Sequence, residues 1–117
     1  MNRRELGRQG EDAACAWLQA RGWTVLDRNV VRPGGEVDII ARCGDVVAFV
    51  EVKRRSGARY GTGAEAVTPA KQRRIAAVAL QYAQEKGLLE QALRFDVIEV
   101  TPQGVRRIES AFDFPEL

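Results

Sequence analysis

The chain has 117 residues, 45% of them hydrophobic and 29% charged, enough to bury one ordinary core but short for two domains. It contains no histidine, which excludes Ser-His and Cys-His nucleophiles and imidazole-based metal sites and leaves oxygen ligands for hard cations such as Mg²⁺ or Mn²⁺. The formal net charge is only +2, yet residues 53–74 hold seven basic side chains (Lys53, Arg54, Arg55, Arg59, Lys71, Arg73 and Arg74) against the single acid Glu65. Such a run is either a solvated surface or an attractor of polyanions.

In chain order, Leu6, Gly10, Ala13, Ala14, Trp17 and Leu18 recur at helical spacing and Gly22 supplies a stop, giving an amphipathic helix with Glu11 at the edge of its buried stripe. Residues 23–31 read as a strand, closed by the turn Arg32-Pro33-Gly34-Gly35. Residues 36–42 make a second strand, and after the turn at Cys43-Gly44-Asp45 residues 46–54 are apolar on both faces, as in a central strand. The two should form a hairpin. Residues 55–64, with Gly57, Gly61 and Gly63, read as a surface loop without the Gly-Lys-Ser/Thr ending of a phosphate-binding loop. Thr68 and Pro69 begin a second helix as N-cap and first helical residue; Ile75, Val78, Ala79, Tyr82 and Ala83 form its apolar face and Gly87 ends it. Residues 94–100 and 105–112 are two further strands around a turn at 101–104. The expected fold is α/β, one domain with a mixed central sheet flanked by helices in the order αβββαββ.

The longest apolar run, Val46 to Val50, is far short of the roughly 20 residues of a membrane-spanning helix. Asn2, Arg3, Arg4 and Glu5 do not resemble a secretory signal, so a cytoplasmic protein without membrane contact is expected. Cys15 and Cys43 lack CxxC spacing and read as reduced, partly buried side chains without a catalytic role.

The chemistry concentrates in Gly35-Glu36-Val37-Asp38-Ile39-Ile40 and Phe49-Val50-Glu51-Val52-Lys53. Period-two alternation puts Glu36 and Asp38 on one face of their strand and Glu51 and Lys53 on one face of the next. A hairpin turning near Gly44 sets Asp38 opposite Glu51. Two carboxylates held together repel unless a cation neutralises them, which suits a divalent metal; the other outcome is a structural salt bridge from Lys53 to one acid. Charges interrupting an apolar central strand are costly to bury without a task.

Asp38, then Glu51-Val52-Lys53 on the following strand, preceded by a helix bearing Glu11, resembles the PD-(D/E)xK nuclease superfamily. The longer wording Gly-Glu-Val-Asp-Ile-Ile-Ala with Phe-Val-Glu-Val-Lys resembles the YraN-type UPF0102 family, itself similar to archaeal Holliday junction resolvases. Val37 stands where the superfamily name has proline. The resemblance implies a restriction-endonuclease-like core and an endonuclease that hydrolyses DNA phosphodiester bonds with Mg²⁺ or Mn²⁺, at branched, junction or single-stranded DNA among other substrates. It implies Asp38 and Glu51 as metal ligands, the Val52 carbonyl as a third and Glu11 as a further acid of the site. Lys53 would position or activate water and balance phosphate charge. Arg54, Arg55, Lys71 and Arg74 would then hold the phosphate backbone. Glu36 is either an extra ligand or a turn cap, Tyr60 a surface residue with a stacking face, and Asp96 a structural acid. A homodimer would suit a two-fold junction. The competing expectations are a non-catalytic nucleic-acid-binding module on the same fold and a protein-interaction domain.

Overall fold

The computed structural model describes residues 2–55 and 67–115. Helix α1 (Arg3–Gln19) starts where the Asn2 side chain accepts the Glu5 N–H at 2.9 Å, filling one of the orphan donors of a first turn. Three residues past its end Gly22 takes φ +87°, a conformation costly for a residue with a Cβ, and the chain reverses into β1 (Thr24–Arg32). Strands β2 (Gly35–Cys43) and β3 (Val46–Arg54) follow, then helix α2 (Pro69–Lys86), β4 (Ala92–Thr101) and β5 (Gly104–Phe112). The αβββαββ order expected from the sequence is the order found. The loop expected at 55–64, with Tyr60, lies outside the described residues beyond Arg55.

The five strands form one sheet in the order β1-β2-β3-β4-β5, antiparallel throughout except for the parallel pair β3–β4 that α2 bridges. A parallel neighbour cannot be reached by a tight turn, which is why a helix intervenes there. Val37, Ile40, Val47, Phe49, Phe95 and Val97 pack with Ile75, Val78, Ala79 and Tyr82 of α2. Ile39, Ala41, Ala48, Val50 and Ile98 pack with Ala14 and Leu18 of α1. The helices therefore cover opposite faces, and β3 is buried on both sides. Phe112 and Phe114 pack on Phe95, at ring separations of 4.7 and 4.6 Å; Phe112 is partly buried against the α2-side core, while Phe114 stays exposed at its edge. Among the described residues no helix is long and apolar enough to cross a membrane.

Two details of this frame shape the site. The side-chain phase of β2 slips: Val37 and Ile40 enter the α2-side core, whereas Ile39 and Ala41 enter the α1-side core. Strict alternation, and with it the expectation that Glu36 and Asp38 share a face, does not hold across Asp38. Next to it on β1, Asn29 sits between the paired positions Arg28↔Ile39 and Val30↔Val37 with φ +52°. Asn is one of the few residues that tolerates this region. The second detail is Gly35, where a Cβ would lie 2.2 Å from the Arg74 carbonyl oxygen. The absence of a side chain lets the β1–β2 turn press against the backbone of α2. Gln81 donating to the Pro33 carbonyl at 2.8 Å and the Arg32–Glu85 ion pair at 2.9 Å hold the same junction.

Candidate active site

The β2–β3 ladder runs from Cys43↔Val46 to Ile39↔Val50 and stops. One residue further the register sets Asp38 opposite Glu51, as the hairpin geometry predicts, but backbone pairing gives way to a side chain: the Val52 N–H donates to Asp38 Oδ2 at 2.8 Å. The two strands thus part at the point where the acids meet, and the half-buried Asp38 carboxyl satisfies a backbone donor that the parting would leave open.

On β3, Val47 and Phe49 face α2, and alternation carries Glu51 and Lys53 to the same side. Glu51 is only 5% exposed. Its Oε1 receives two ammonium groups, Lys71 of α2 at 2.5 Å and Lys53 at 3.7 Å. Burial, together with the neighbouring Glu51 carboxylate, pushes the Asp38 carboxyl up to about 7, against the pull of the Val52 N–H; Glu11 and a hydrogen bond with Glu51 add to the rise. Burial pulls the Lys71 ammonium down, but its bond to Glu51 and the fields of Glu51, Asp38 and Glu36 outweigh it and leave its pKa raised. Asp38, Glu51, Lys53 and Lys71 are therefore one electrostatic unit.

Glu11 stands at its border. Its carboxylate accepts from Asn29 Nδ2 at 2.9 Å and lies 3.6 Å from Arg28, so α1 is tied to the point where β1 and β2 slip. Glu11 reaches Asp38 through its field, and among the described residues no three acids or cysteines converge into a ready metal cage. Glu11 and Asn29 line a groove of about 500 Å³ with Arg3, Arg4 and Arg8. Arg54 is exposed where α1 crosses β3 beside Gly10. The other expected phosphate contacts are partly committed elsewhere. Arg55 bonds the fully buried Glu99 at 3.2 Å, an acid that Arg106 also meets at 2.6 Å. Arg74 is exposed on α2. Glu36 is exposed at the turn. Asp96 is buried, held by Arg94 at 2.9 Å and by the Ser110 N–H at 2.9 Å, a structural arrangement. Burial pushes the Cys15 thiol up, which suits an inert core residue.

Sequence reasoning passed over Asn29 and Glu99. Asn29 carried a usable signal, an Asn in the middle of a strand pattern where positive φ is otherwise rare. Glu99 carried none, because its burial depends on the parallel β3–β4 pairing, in which it lies beside Lys53.

The donor set fits a hard divalent cation. Asp38 and Glu51 offer only oxygen; burial first, and the Glu51 carboxylate second, disfavour the charge on Asp38, and a cation would offset both. With two acids and the expected Val52 carbonyl, the remaining ligands would come from solvent or substrate oxygens, as is common for Mg²⁺.

A mixed sheet that opens at an acid pair, with lysines from the adjoining strand and helix, defines an α/β domain with a compact acid–lysine centre. The chain belongs to the family described as "Uncharacterised protein family UPF0102", which it matches over residues 10–100. It is 48% identical to a UPF0102 protein of Anaeromyxobacter dehalogenans, covering 95% of this chain and 86% of the relative. It is 50% identical to UPF0102 proteins of Symbiobacterium thermophilum, over 85% of this chain and 84% of the relative, and of Geobacter sulfurreducens, over 82% and 75%.

Proposed function

We propose that this chain is a metal-dependent endonuclease of the PD-(D/E)xK type, hydrolysing DNA phosphodiester bonds with Mg²⁺ or Mn²⁺. The observation that carries the proposal is the placement of Asp38 against buried Glu51 where β2 and β3 part, with Lys53 on the same carboxylate. Burial and the adjacent Glu51 carboxylate disfavour the charge on Asp38, a cost that a structural role does not require.

Asp38 and Glu51 would hold the cation, with the Val52 carbonyl as a further ligand. When bound, the cation supplies Lewis acidity toward water and a phosphoryl oxygen. Lys53 lies within 3.7 Å of Glu51 and is 30% exposed in its side chain, so its ammonium reaches the site's open side to orient water and offset charge growing on the phosphate. The Val52 N–H fixes the Asp38 carboxyl, and Asn29 fixes Glu11. Arg54 and Arg74, both exposed, and the groove edged by Arg3, Arg4 and Arg8 are suited to the phosphate backbone on either side. Branched or junction DNA is the proposed substrate class, served by a homodimer.

One observation favours a second reading. Lys71 already neutralises Glu51, which also describes a module that binds nucleic acid without cutting. A panel of labelled junctions, flaps, single strands and duplexes, incubated with Mg²⁺, Mn²⁺ or EDTA, separates the two. Metal-dependent cutting supports the nuclease; salt-sensitive binding with no cutting on any substrate supports the module.

A further inference from the structure

Glu51 Oε1 carries two cations of unequal standing. Lys53 lies at 3.7 Å and belongs to the same strand. Lys71 lies at 2.5 Å and reaches in from α2. The acid is fixed, its side chain 6% exposed, while the Lys71 side chain is 38% exposed and has a path to solvent. The backbone of Lys71 is anchored: its N–H donates to Thr68 Oγ1 at 3.2 Å, and α2 is seated on Gly35 at Arg74. Only the stem is left to move, and a lysine stem is flexible with a compact charge at its end.

Among the described residues, Glu51 already meets two ammonium groups without any metal, and the charge on Asp38 is disfavoured by burial. Adding a divalent cation to the acids leaves a surplus of positive charge. An ammonium in hydrogen-bonding contact with a carboxylate oxygen also occupies the space in which a cation would bind at roughly 2.0–2.1 Å. Of the two lysines, the closer and more exposed one gives way.

We infer that Lys71 is an exchangeable counter-ion: it holds Glu51 when the acid pair carries no divalent cation and transfers its charge to a substrate phosphate when the cation enters. This rests on the metal-site reading above. Cation and polyanion then strengthen each other's binding, since any such coupling is reciprocal. Without metal, the acid pair is neutralised and Lys71 is withheld from DNA.

The test is calorimetric titration of Mn²⁺ into the full chain without DNA, for the unmodified protein, Lys71→Gln, Lys71→Arg and Asp38→Asn. Lys71→Gln removes the competitor and should bind Mn²⁺ about tenfold more tightly, a coupling of ordinary size. Lys71→Arg keeps the competing charge and should stay close to the unmodified chain. Equal or weaker affinity in Lys71→Gln would overturn the exchange. If neither the unmodified chain nor Lys71→Gln bound Mn²⁺, or if Asp38→Asn bound it undiminished, the metal site itself would fall along with the inference. Should Lys71→Gln not fold, the unmodified chain still decides. Its Lys71 side-chain carbon resonance, assigned by its absence from Lys71→Arg, should shift on Mg²⁺ addition, and an unmoved resonance contradicts the exchange.

Discussion

Asp38 titrates near 7 in the folded chain and at the ordinary value of 3.8 when unfolded, because burial and the Glu51 carboxylate disfavour its charge. Between those values the folded state binds the extra proton. Its contribution to stability is therefore complete below about pH 4 and is lost as pH rises through 7. Denaturant melts of the metal-free protein should show Asp38 removing about 2–4 kcal/mol over that interval, and Asp38→Asn should flatten this part of the profile. Metal binding competes with the same proton and should tighten as pH rises through 7. Lys53→Ala should lower kcat by about a hundredfold or more while changing DNA affinity little. A loss confined to affinity would make Lys53 a phosphate anchor. At this scale the acids and Lys53 were legible because strand alternation and one turn suffice to pair them. The Lys71–Glu51 contact was not, since it joins a helix to a strand through tertiary packing alone.

At the scale of elements, the site depends on how firmly α2 and the β1–β2 turn are pressed together. Gly35→Ala would set a Cβ against the Arg74 carbonyl, with backbone on both sides and no flexible atom to yield. It should cost about 3 kcal/mol and lower the melting temperature by about 10 °C or more, and a melting temperature equal to the parent's would show that the turn is free to move. Helix boundaries were readable in advance: Thr68 accepts the Lys71 N–H, Pro69 opens α2, and Gly87 closes it at φ +69°. These are local chemical signals. The phase slip in β2 was not readable, because alternation predicts faces only while the backbone is regular, and opposite Asp38 the neighbouring strand carries Asn29 at φ +52°. The strand order 1-2-3-4-5 with its single parallel pair likewise follows from long-range packing.

For the whole molecule, a net charge of +2 conceals an exposed basic margin around a largely neutralised centre. Arg3, Arg4 and Arg8 edge the groove beside Glu11, and Arg54 and Arg74 are exposed on elements adjoining the acid pair. Binding to uncut DNA should therefore weaken steeply between roughly 50 and 200 mM salt, and salt-independent binding would argue against phosphate contacts. Sequence charge runs pointed to residues 53–74 but not to the α1 arginines, which the fold brings to the groove lined by Glu11 and Asn29. They also did not reveal that Arg55 is spoken for by Glu99.

The central claim is that Asp38 and Glu51 form a metal-dependent cutting site, and cleavage of the preferred DNA substrate by the unmodified chain and by Asp38→Asn, with Mn²⁺ and with EDTA, tests it most directly. Asp38→Asn keeps the shape and should fold, as circular dichroism will verify. Mn²⁺-dependent cutting should fall in the variant by more than the roughly hundredfold loss that follows removal of a group bonded to a metal ligand. Cutting that survives EDTA, or persists at parental rate in a folded Asp38→Asn chain, would contradict it.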